Sequence, residues 1–511
     1  MLFENILIEP LKEAALNSPD RIVLEFGRKS LCAFKLYNNS KTLAFNLSEA
    51  GLKEGELVLL AVFPDQEFLT IFYALLMLRC KIAIIDNEMG EDNYEAKMKQ
   101  LQPKWLFADS RLLLINKYPF LKKIANRFRK NLPKLYLNES LKIISAGIEL
   151  PFTRNKNKLK SFLKPTSKEI KLETNNTVYE NLIIYTSGTL SMPKGVVHTN
   201  LSLHTTLKNL AKVFEKDKNV VLASYLPHFI LLGIACNFSV KVIDPLLNPK
   251  RKLNWFYTEK ITVYFGAPYD YLALIEYCEK NKIKFPICLQ HLIVGSAPVH
   301  KQFLKRLINV LPAHIKITCT YGMTEHLITS LVDGREKLNY ECNGDFLGNI
   351  SDDVEVKINT DSEILVKSNQ LFKRYLGHDE VVDFHPTGDL GFIDINGNLI
   401  LTGRKKDMII RRDFNLYPAL YEDTVRKIPG ISEAAFIGVY DEKSFDEKVY
   451  LVIEASTITE ADVMKKLKAG PYSIGFDALP DKIIKMQMPR LGRHHKIDKI
   501  KIAEIIKTIA L

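Results

Sequence analysis

Residues 182–195 read LIIYTSGTLSMPKG, and this stretch decides how the rest of the chain is read. Its opening is an apolar strand candidate. A run of small hydroxyl residues and glycine follows, with Lys194 near its end. Successive backbone N–H groups in such a turn can form a nest for an anion. Thr186, Ser187 and Thr189 supply hydroxyls, and Gly188 lets the backbone approach a phosphate closely. The stretch is not a G-x-x-x-x-G-K-[ST] loop, because Gly195 follows Lys194 and no helix begins at once. On its own it reads equally as a phosphate turn or as a polar strand-to-helix turn.

The rhythm on either side is α/β. Residues 57–63 (LVLLAVF) form a continuous apolar run, as in a strand buried on both faces. Residues 66–79 read as a buried helix and 81–85 as the next strand. That is a βαβ unit, and it implies a parallel sheet. Downstream, the short apolar runs 220–224, 240–243, 262–265, 291–294 and 316–320 read as strands, mostly separated by helical stretches. Beyond about 345 the pattern changes to short strands with turns, at 354–358, 363–367, 391–394 and 399–402. From 405 onward a helix beginning near Pro418 and strands at 434–439 and 449–453 form a further compact segment. The expected architecture is α/β. A large N-terminal domain of layered α/β subdomains spans 1–404, and a small α+β domain spans 405–511.

Composition limits the function classes. The chain has 511 residues, 47% apolar and 25% charged, which excludes a disordered, collagen-like or disulfide-scaffold protein. A net charge of +12 favours anionic partners, unless the surplus simply solubilises the surface. The seven cysteines form no C-x-x-C pair, and an odd count suits neither a disulfide framework nor a zinc site. A reducing cytoplasm is the expected compartment. The N-terminus, MLFENILIEPLKEAALNSPD, carries acidic residues where a signal peptide needs basic ones. The apolar run 68–78 is too short to span a bilayer. Within the basic segment 117–171, Leu121, Ile124, Phe128 and Leu132 fall at helical spacing, and 152–171 reads as a loop. Such a helix either packs on the core, the commoner case, or lies on an anionic membrane surface. Nucleic acid is not an expected partner, since no recognised module or basic stripe with interleaved aromatics is present.

Three more segments carry chemistry. Residues 320–325 read TYGMTE after a strand, where open α/β sheets place their ligands. Thr387-Gly-Asp389 is followed by Gly403-Arg-Lys-Lys-Asp407, a carboxylate suited to ribose hydroxyls and an arginine suited to a phosphate or ribose oxygen. Residues 493–499 read RHHKIDK, which in isolation is a solvated charge run.

Together and in this order, the four segments resemble the adenylate-forming (AMP-binding) superfamily of acyl- and aryl-CoA synthetases, luciferases and peptide-synthetase adenylation domains. Gly295-Ser-Ala-Pro298 is similar to that family's adenine-side G-G-A-P, and Gly266-Ala-Pro268 to the acyl-pocket motif. The resemblance implies ATP, Mg²⁺ and CoA. A carboxylic acid is adenylated with loss of pyrophosphate, and a thiol of CoA or of an acyl carrier protein then displaces AMP. It places Thr186, Ser187, Gly188, Thr189 and Lys194 on the phosphates, and Gly295, Ala297 and Tyr321 at adenine. Thr324 would meet the α-phosphate, Glu325 Mg²⁺, and Asp389 the ribose with Arg404 beside it. Lys406 matches the hinge of a mobile C-terminal domain, and Lys496 the lysine that bridges carboxylate and α-phosphate. The acid pocket would draw on His228, Ile230, Gly233, Gly266, Pro268 and Gly322, and the apolar run 230–232 suggests a fatty or aryl acid.

The sequence also departs from the family pattern. Leu190 and Ser191 replace a threonine and a glycine of T-S-G-T-T-G-x-P-K-G. Ile230 stands at the histidine of P-x-x-H-x-x-G, with His228 two residues earlier. Asp413 replaces a glycine that clears the pantetheine path, and His495 replaces the glycine before the last lysine. The His-His-Lys run and Gly-Ser-Ala-Pro-Val resemble β-lactone synthetases, which close a β-hydroxy acid on itself. Carrier loading, lactone closure and a catalytically silent nucleotide-binding relative are therefore the alternatives to CoA ligation.

Overall fold

The computed structural model describes residues 2–27, 29–84, 97–118, 135, 137, 141–148, 157–166, 168, 170–174, 177–185, 194–214, 219–225, 227–244, 247–411, 414–441, 446–491 and 495–510. The βαβ unit is present as the strand Leu57–Ala61, the helix Gln66–Met77 and the strand Lys81–Ile84, with the two strands parallel. Asp65 starts the helix, its Oδ1 accepting from the amides of Glu67 at 2.9 Å and Phe68 at 3.1 Å. A cap of this kind contributes about 1 kcal/mol. The helix is apolar on every side, and it is buried on every side from Phe68 to Met77.

Among the described residues, two sheets organise the first four-fifths of the chain. The smaller has seven strands, with Lys81–Ile84, Leu57–Ala61, Trp105–Asp109 and Lys142–Ala146 parallel within it. The larger has 13. Its parallel centre is Ser239–Val242, Val221–Ser224, Val263–Gly266, His291–Val294 and Lys316–Met323. The N-terminal strand Ile22–Phe26 joins it beside Ser239–Val242. Beyond Lys316–Met323 pairing turns antiparallel, through His326–Asp333 and Asp345–Ile350 to Asn398–Arg404, His385–Ile393, Glu363–Lys367 and Glu355–Ile358. Val58 and Ile82 of the smaller sheet and Val23, Leu222 and Val240 of the larger share one core with the helices Ala33–Glu49 and Gln66–Met77. The layering is therefore sheet, helices, sheet.

After Arg404 the chain leaves the large sheet through a short turn, Lys405–Asp407. The strands Ile431–Asp441, Asp446–Ala455 and Lys482–Lys485 form a separate sheet. Ile409, Phe436, Leu451 and Val463 pack on one of its faces. Ala435, Val452, Ile502 and Ile506 pack on the other, so the helix Lys499–Ala510 seals that side. The chain is thus α/β, with a large N-terminal part and a smaller α+β C-terminal part.

Some expectations need correction. Of the two readings of 182–195, the strand-to-helix turn is excluded, because Gly195–Thr199 is a strand. Glu180–Tyr185 and Gly195–Thr199 are antiparallel neighbours, with Tyr185 opposite Gly195. The stretch 152–171 is not purely loop. It contains the short helix Leu159–Phe162, whose end is tied down where Asn46 Nδ2 donates to the carbonyls of Phe162 at 2.7 Å and Lys164 at 3.1 Å. The basic amphipathic helix expected around Leu121 to Leu132 lies outside the described residues. Among the described residues no helix is long and apolar enough to cross a membrane.

Candidate active site

The parallel strands Val263–Gly266 and His291–Val294 end side by side at Gly266 and Val294, beside Cys319 of Lys316–Met323, where α/β sheets gather ligands. The Gly295 amide donates to the Gly266 carbonyl at 3.3 Å, which ties the G-S-A-P and G-A-P segments together. Tyr321 and Gly322 do not follow the strand, as sequence spacing suggested, but belong to it. Strand Lys316–Met323 folds back on His326–Asp333, with Tyr321 opposite Ser330 and Met323 opposite His326. Thr324 and Glu325 form the turn. A Cβ on Gly322 would lie 2.0 Å from the Leu327 carbonyl oxygen, so this hairpin admits only glycine there.

Asp389 is the centre of a first cluster. It lies on His385–Ile393, and its register partner across the ladder is Arg404 on Asn398–Arg404. Arg404 Nε is 2.8 Å from Asp389 Oδ1. The Tyr321 hydroxyl donates to Asp389 Oδ2 at 2.8 Å, and the Asp389 amide donates to Thr387 Oγ1 at 3.1 Å. Burial and the Asp389 charge hold the Tyr321 phenol well above its ordinary pKa. The charge of Asp389 also raises the Arg404 pKa. Lys406 and Lys496 belong to the same electrostatic neighbourhood. Desolvation by the surrounding chain lowers both, and so does the like charge of Arg404; for Lys496 the charge of Lys406 adds, and Asp389 partly offsets it. Lys406 sits in the turn Lys405–Asp407 between the large sheet and the C-terminal strands. Lys496 is carried on a small ribbon in which it pairs with Leu491. The preceding residue, His495, stacks on Tyr269 with ring centroids 3.7 Å apart and planes at 20°.

Glu325 is the centre of a second cluster. Tyr375 donates its hydroxyl to Glu325 Oε1 at 2.8 Å, and Lys194 Nζ lies 4.7 Å from the centre of the Tyr375 ring. Tyr375 can reach both because Arg374–Tyr375 is an edge strand on Gly195–Thr199, with Tyr375 opposite Val196. Arg374 fixes that strand through two hydrogen bonds to Glu180, at 2.7 and 3.1 Å. Burial alone would raise the Glu180 pKa, but Arg374 and Lys81 outweigh it and hold it at about 2. Below the turn, His198 Nε2 is 2.9 Å from the Thr324 carbonyl. A carbonyl only accepts, so Nε2 carries the proton. Burial pushes the His198 pKa down to about 4.

These clusters bring together Tyr321, Asp389, Arg404, Lys406 and Lys496 around one, and Glu325, Thr324 and Lys194 around the other. Thr186, Ser187, Gly188, Thr189, Leu190, Ser191 and Asp413 lie outside the described residues. His228 is in the helix Pro227–Ile230. Ile230, Leu231 and Leu232 are buried in the main core, and Gly233 is pressed against the Val23 carbonyl, 2.8 Å from where a Cβ would be. Gly266 ends its strand, Pro268 is the first residue of the helix Pro268–Asn281, and Ala297 is half-buried. Sequence reasoning missed Tyr375 and His198. Neither stands in a recognisable motif, and each acts through a partner far along the chain.

The donor set has a bearing on a metal. Glu325 offers a hard carboxylate oxygen, aimed by Tyr375. Among the described residues no group of three or more His, Cys, Asp and Glu could hold a metal ion. A single carboxylate oxygen is the kind of donor that a Mg²⁺ taking most of its ligands from phosphate and water would use.

The model of the AMP-binding enzyme family matches residues 11–376. A 2-succinylbenzoate–CoA ligase of Bacillus cereus (strain Q1) is 23% identical over 481 residues, covering 89% of this chain and 90% of that protein. ATP-bound MatB from Rhodopseudomonas palustris superposes with a TM-score of 0.80 at 20% identity, over 99% of each chain. The amide bond synthetase McbA from Marinactinospora thermotolerans superposes with a TM-score of 0.78 at 17% identity, over 98% of this chain and 99% of that one.

Proposed function

Because the chain belongs to the AMP-binding enzyme family, we propose that it adenylates a hydrophobic fatty or aryl carboxylic acid with ATP and then transfers the acyl group to the thiol of CoA. In the first step an oxygen of the acid bonds to the α-phosphorus as the bond to pyrophosphate breaks. In the second the thiol sulfur bonds to the acyl carbon and AMP leaves. There is little covalent work for the protein, so positioning and charge neutralisation dominate.

The observation that carries this reading is the Asp389 cluster. A buried carboxylate held by Tyr321 and Arg404 presents acceptors for two ribose hydroxyls, and Lys496 from the C-terminal part reaches the same neighbourhood. Tyr321 offers its ring to adenine, with Gly295 and Ala297 on the adjoining edge. Lys194 and residues 186–189 hold the outer phosphates, Thr324 the α-phosphate and Glu325 Mg²⁺, whose role is to neutralise the leaving pyrophosphate. Lys496 is a mobile point charge suited to bridging the acid and the α-phosphate. The acid enters near Gly266, Pro268 and Gly322, beside the helix that bears His228, Ile230 and Gly233. The boundary lies at 404/405, and the C-terminal domain swings about Lys406 between the steps. The spacing of the seven cysteines, with no C-x-x-C pair, supports a reducing, cytoplasmic setting.

Carboxylate-dependent exchange of pyrophosphate into ATP tests the first step. No exchange with octanoate, palmitate or benzoate leaves a silent nucleotide-binding relative. The sequence departure at Asp413 favours a second reading of the second step, in which a carrier protein or the acid's own β-hydroxyl replaces CoA. The mass of the product formed with and without CoA separates these fates.

A further inference from the structure

We propose that Tyr269 is a positioning residue for Lys496, acting through its stack on His495. The inference rests on the adenylation role proposed above for Lys496. Lys496 lies on a ribbon of only two paired positions, Arg490 with Ile497 and Leu491 with Lys496. A ribbon this short is marginal without outside support. Its base is tied to the C-terminal part, where the Asp498 amide donates to the Pro489 carbonyl at 2.9 Å and the following helix packs through Ile502. Its tip is tied to the other part of the molecule. His495 has φ +48°, in the left-handed region that favours glycine. Its imidazole lies flat against the Tyr269 ring, with ring centroids 3.7 Å apart.

Tyr269 follows Pro268 in the first turn of the helix Pro268–Asn281, next to the acid-side segment, and is 46% exposed. An aromatic this exposed adds little to the core. Its evident contact is the imidazole of the residue beside the bridging lysine. The stack therefore sets where the Lys496 ammonium stands relative to Asp389 and Arg404. Glycine at position 495 could make the turn but could not make the stack, so histidine exchanges backbone ease for a side-chain anchor.

The test uses the full chain and two readouts. Hydrogen–deuterium exchange on the unliganded protein reads the latch directly. Tyr269→Ala and His495→Gly should each raise uptake across residues 486–498 and leave the strand Ile431–Asp441 unchanged, while Tyr269→Phe and His495→Phe keep wild-type uptake. Unchanged uptake in both Tyr269→Ala and His495→Gly overturns the proposal, whatever the activity. Pyrophosphate exchange with octanoate should fall roughly tenfold to a hundredfold in Tyr269→Ala, the scale of a misplaced catalytic group. Conversion of octanoyl-AMP with CoA should be spared, and Tyr269→Phe should recover the loss. The double variant Tyr269→Ala/His495→Gly should be no worse than either single one, because both remove the same contact. Equal loss in both half-reactions, or additive losses, overturns the role assigned to Tyr269. Absence of exchange in the wild type would instead remove the adenylation reading and leave the hydrogen-exchange result standing.

Discussion

Tyr321 donates its hydroxyl to Asp389 across 2.8 Å, joining residues 68 positions apart in the chain. The bond fuses the Y-G-M-T-E hairpin and the T-G-D strand into one wall, and Arg404 closes it from the other side. A hydrogen bond to a charged group contributes about 1.5–3 kcal/mol, or roughly ten- to a hundredfold in an affinity that depends on it. Asp389→Ala should weaken ATP binding by that factor in calorimetry. Tyr321→Phe should lower the melting temperature as well as the affinity. ATP binding unchanged by Asp389→Ala would count against the ribose assignment.

Tyr375 touches both the carboxylate assigned to the metal and the lysine assigned to phosphate. Tyr375→Phe keeps the ring under Lys194 but releases Glu325. The Mg²⁺ concentration needed for half-maximal pyrophosphate exchange should then rise roughly tenfold, on the same hydrogen-bond scale. Tyr375→Ala should raise the KM for ATP in addition. A Mg²⁺ dependence identical to wild type in Tyr375→Phe would exclude an orienting role.

The two C-terminal lysines should separate the half-reactions. Lys496→Ala should abolish pyrophosphate exchange and spare the reaction of preformed acyl-AMP with thiol. Lys406→Pro stiffens the turn between the two parts of the molecule and should slow thiol transfer more than adenylation. Rapid-quench measurement of each step checks both.

The sequence announced the chemistry of the site better than its geometry. Glu363–Lys367 and His291–Val294 were legible to the residue, because short apolar runs bounded by turns have few other readings. His326–Asp333 was not, because Thr329, Ser330 and Asp333 break its apolar pattern and its partner strand supplies the register. Asp389, Arg404 and Lys496 could be picked out by motif. Tyr375 could not, since its role depends on an edge strand brought across from far along the chain. The pairing of Gly195–Thr199 with Glu180–Tyr185 was left open by the sequence for the same reason: whether a strand or a helix follows a turn is settled by the available neighbour, not by the turn.

A set of buried histidines predicts the acid response. Burial holds His198, His326 and His385 at about 4, against 6.5 in an unfolded chain. The unfolded state binds more protons between those values, so their contribution is complete above about pH 6.5 and is lost as pH falls toward 4. Burial raises Asp65 and Glu67, which act in the opposite sense. Melting temperatures from pH 7 to 4 should fall, and His198→Asn should flatten the decline. A steeper decline in His198→Asn would contradict a neutral, buried His198.

The insertion of Ile22–Phe26 beside Ser239–Val242, and of Arg374–Tyr375 beside Gly195–Thr199, bears on how the protein is made. Ile22–Phe26 can pair early with Lys29–Cys32, but that hairpin joins the large sheet only once the chain has grown beyond residue 242. The smaller sheet keeps a bare edge until residue 375 has been translated. Such long-range closures are slow, and an open edge is a template for unwanted pairing. Chains truncated between the two closures should therefore aggregate during synthesis, whereas those ending after Arg404 have both sheets complete.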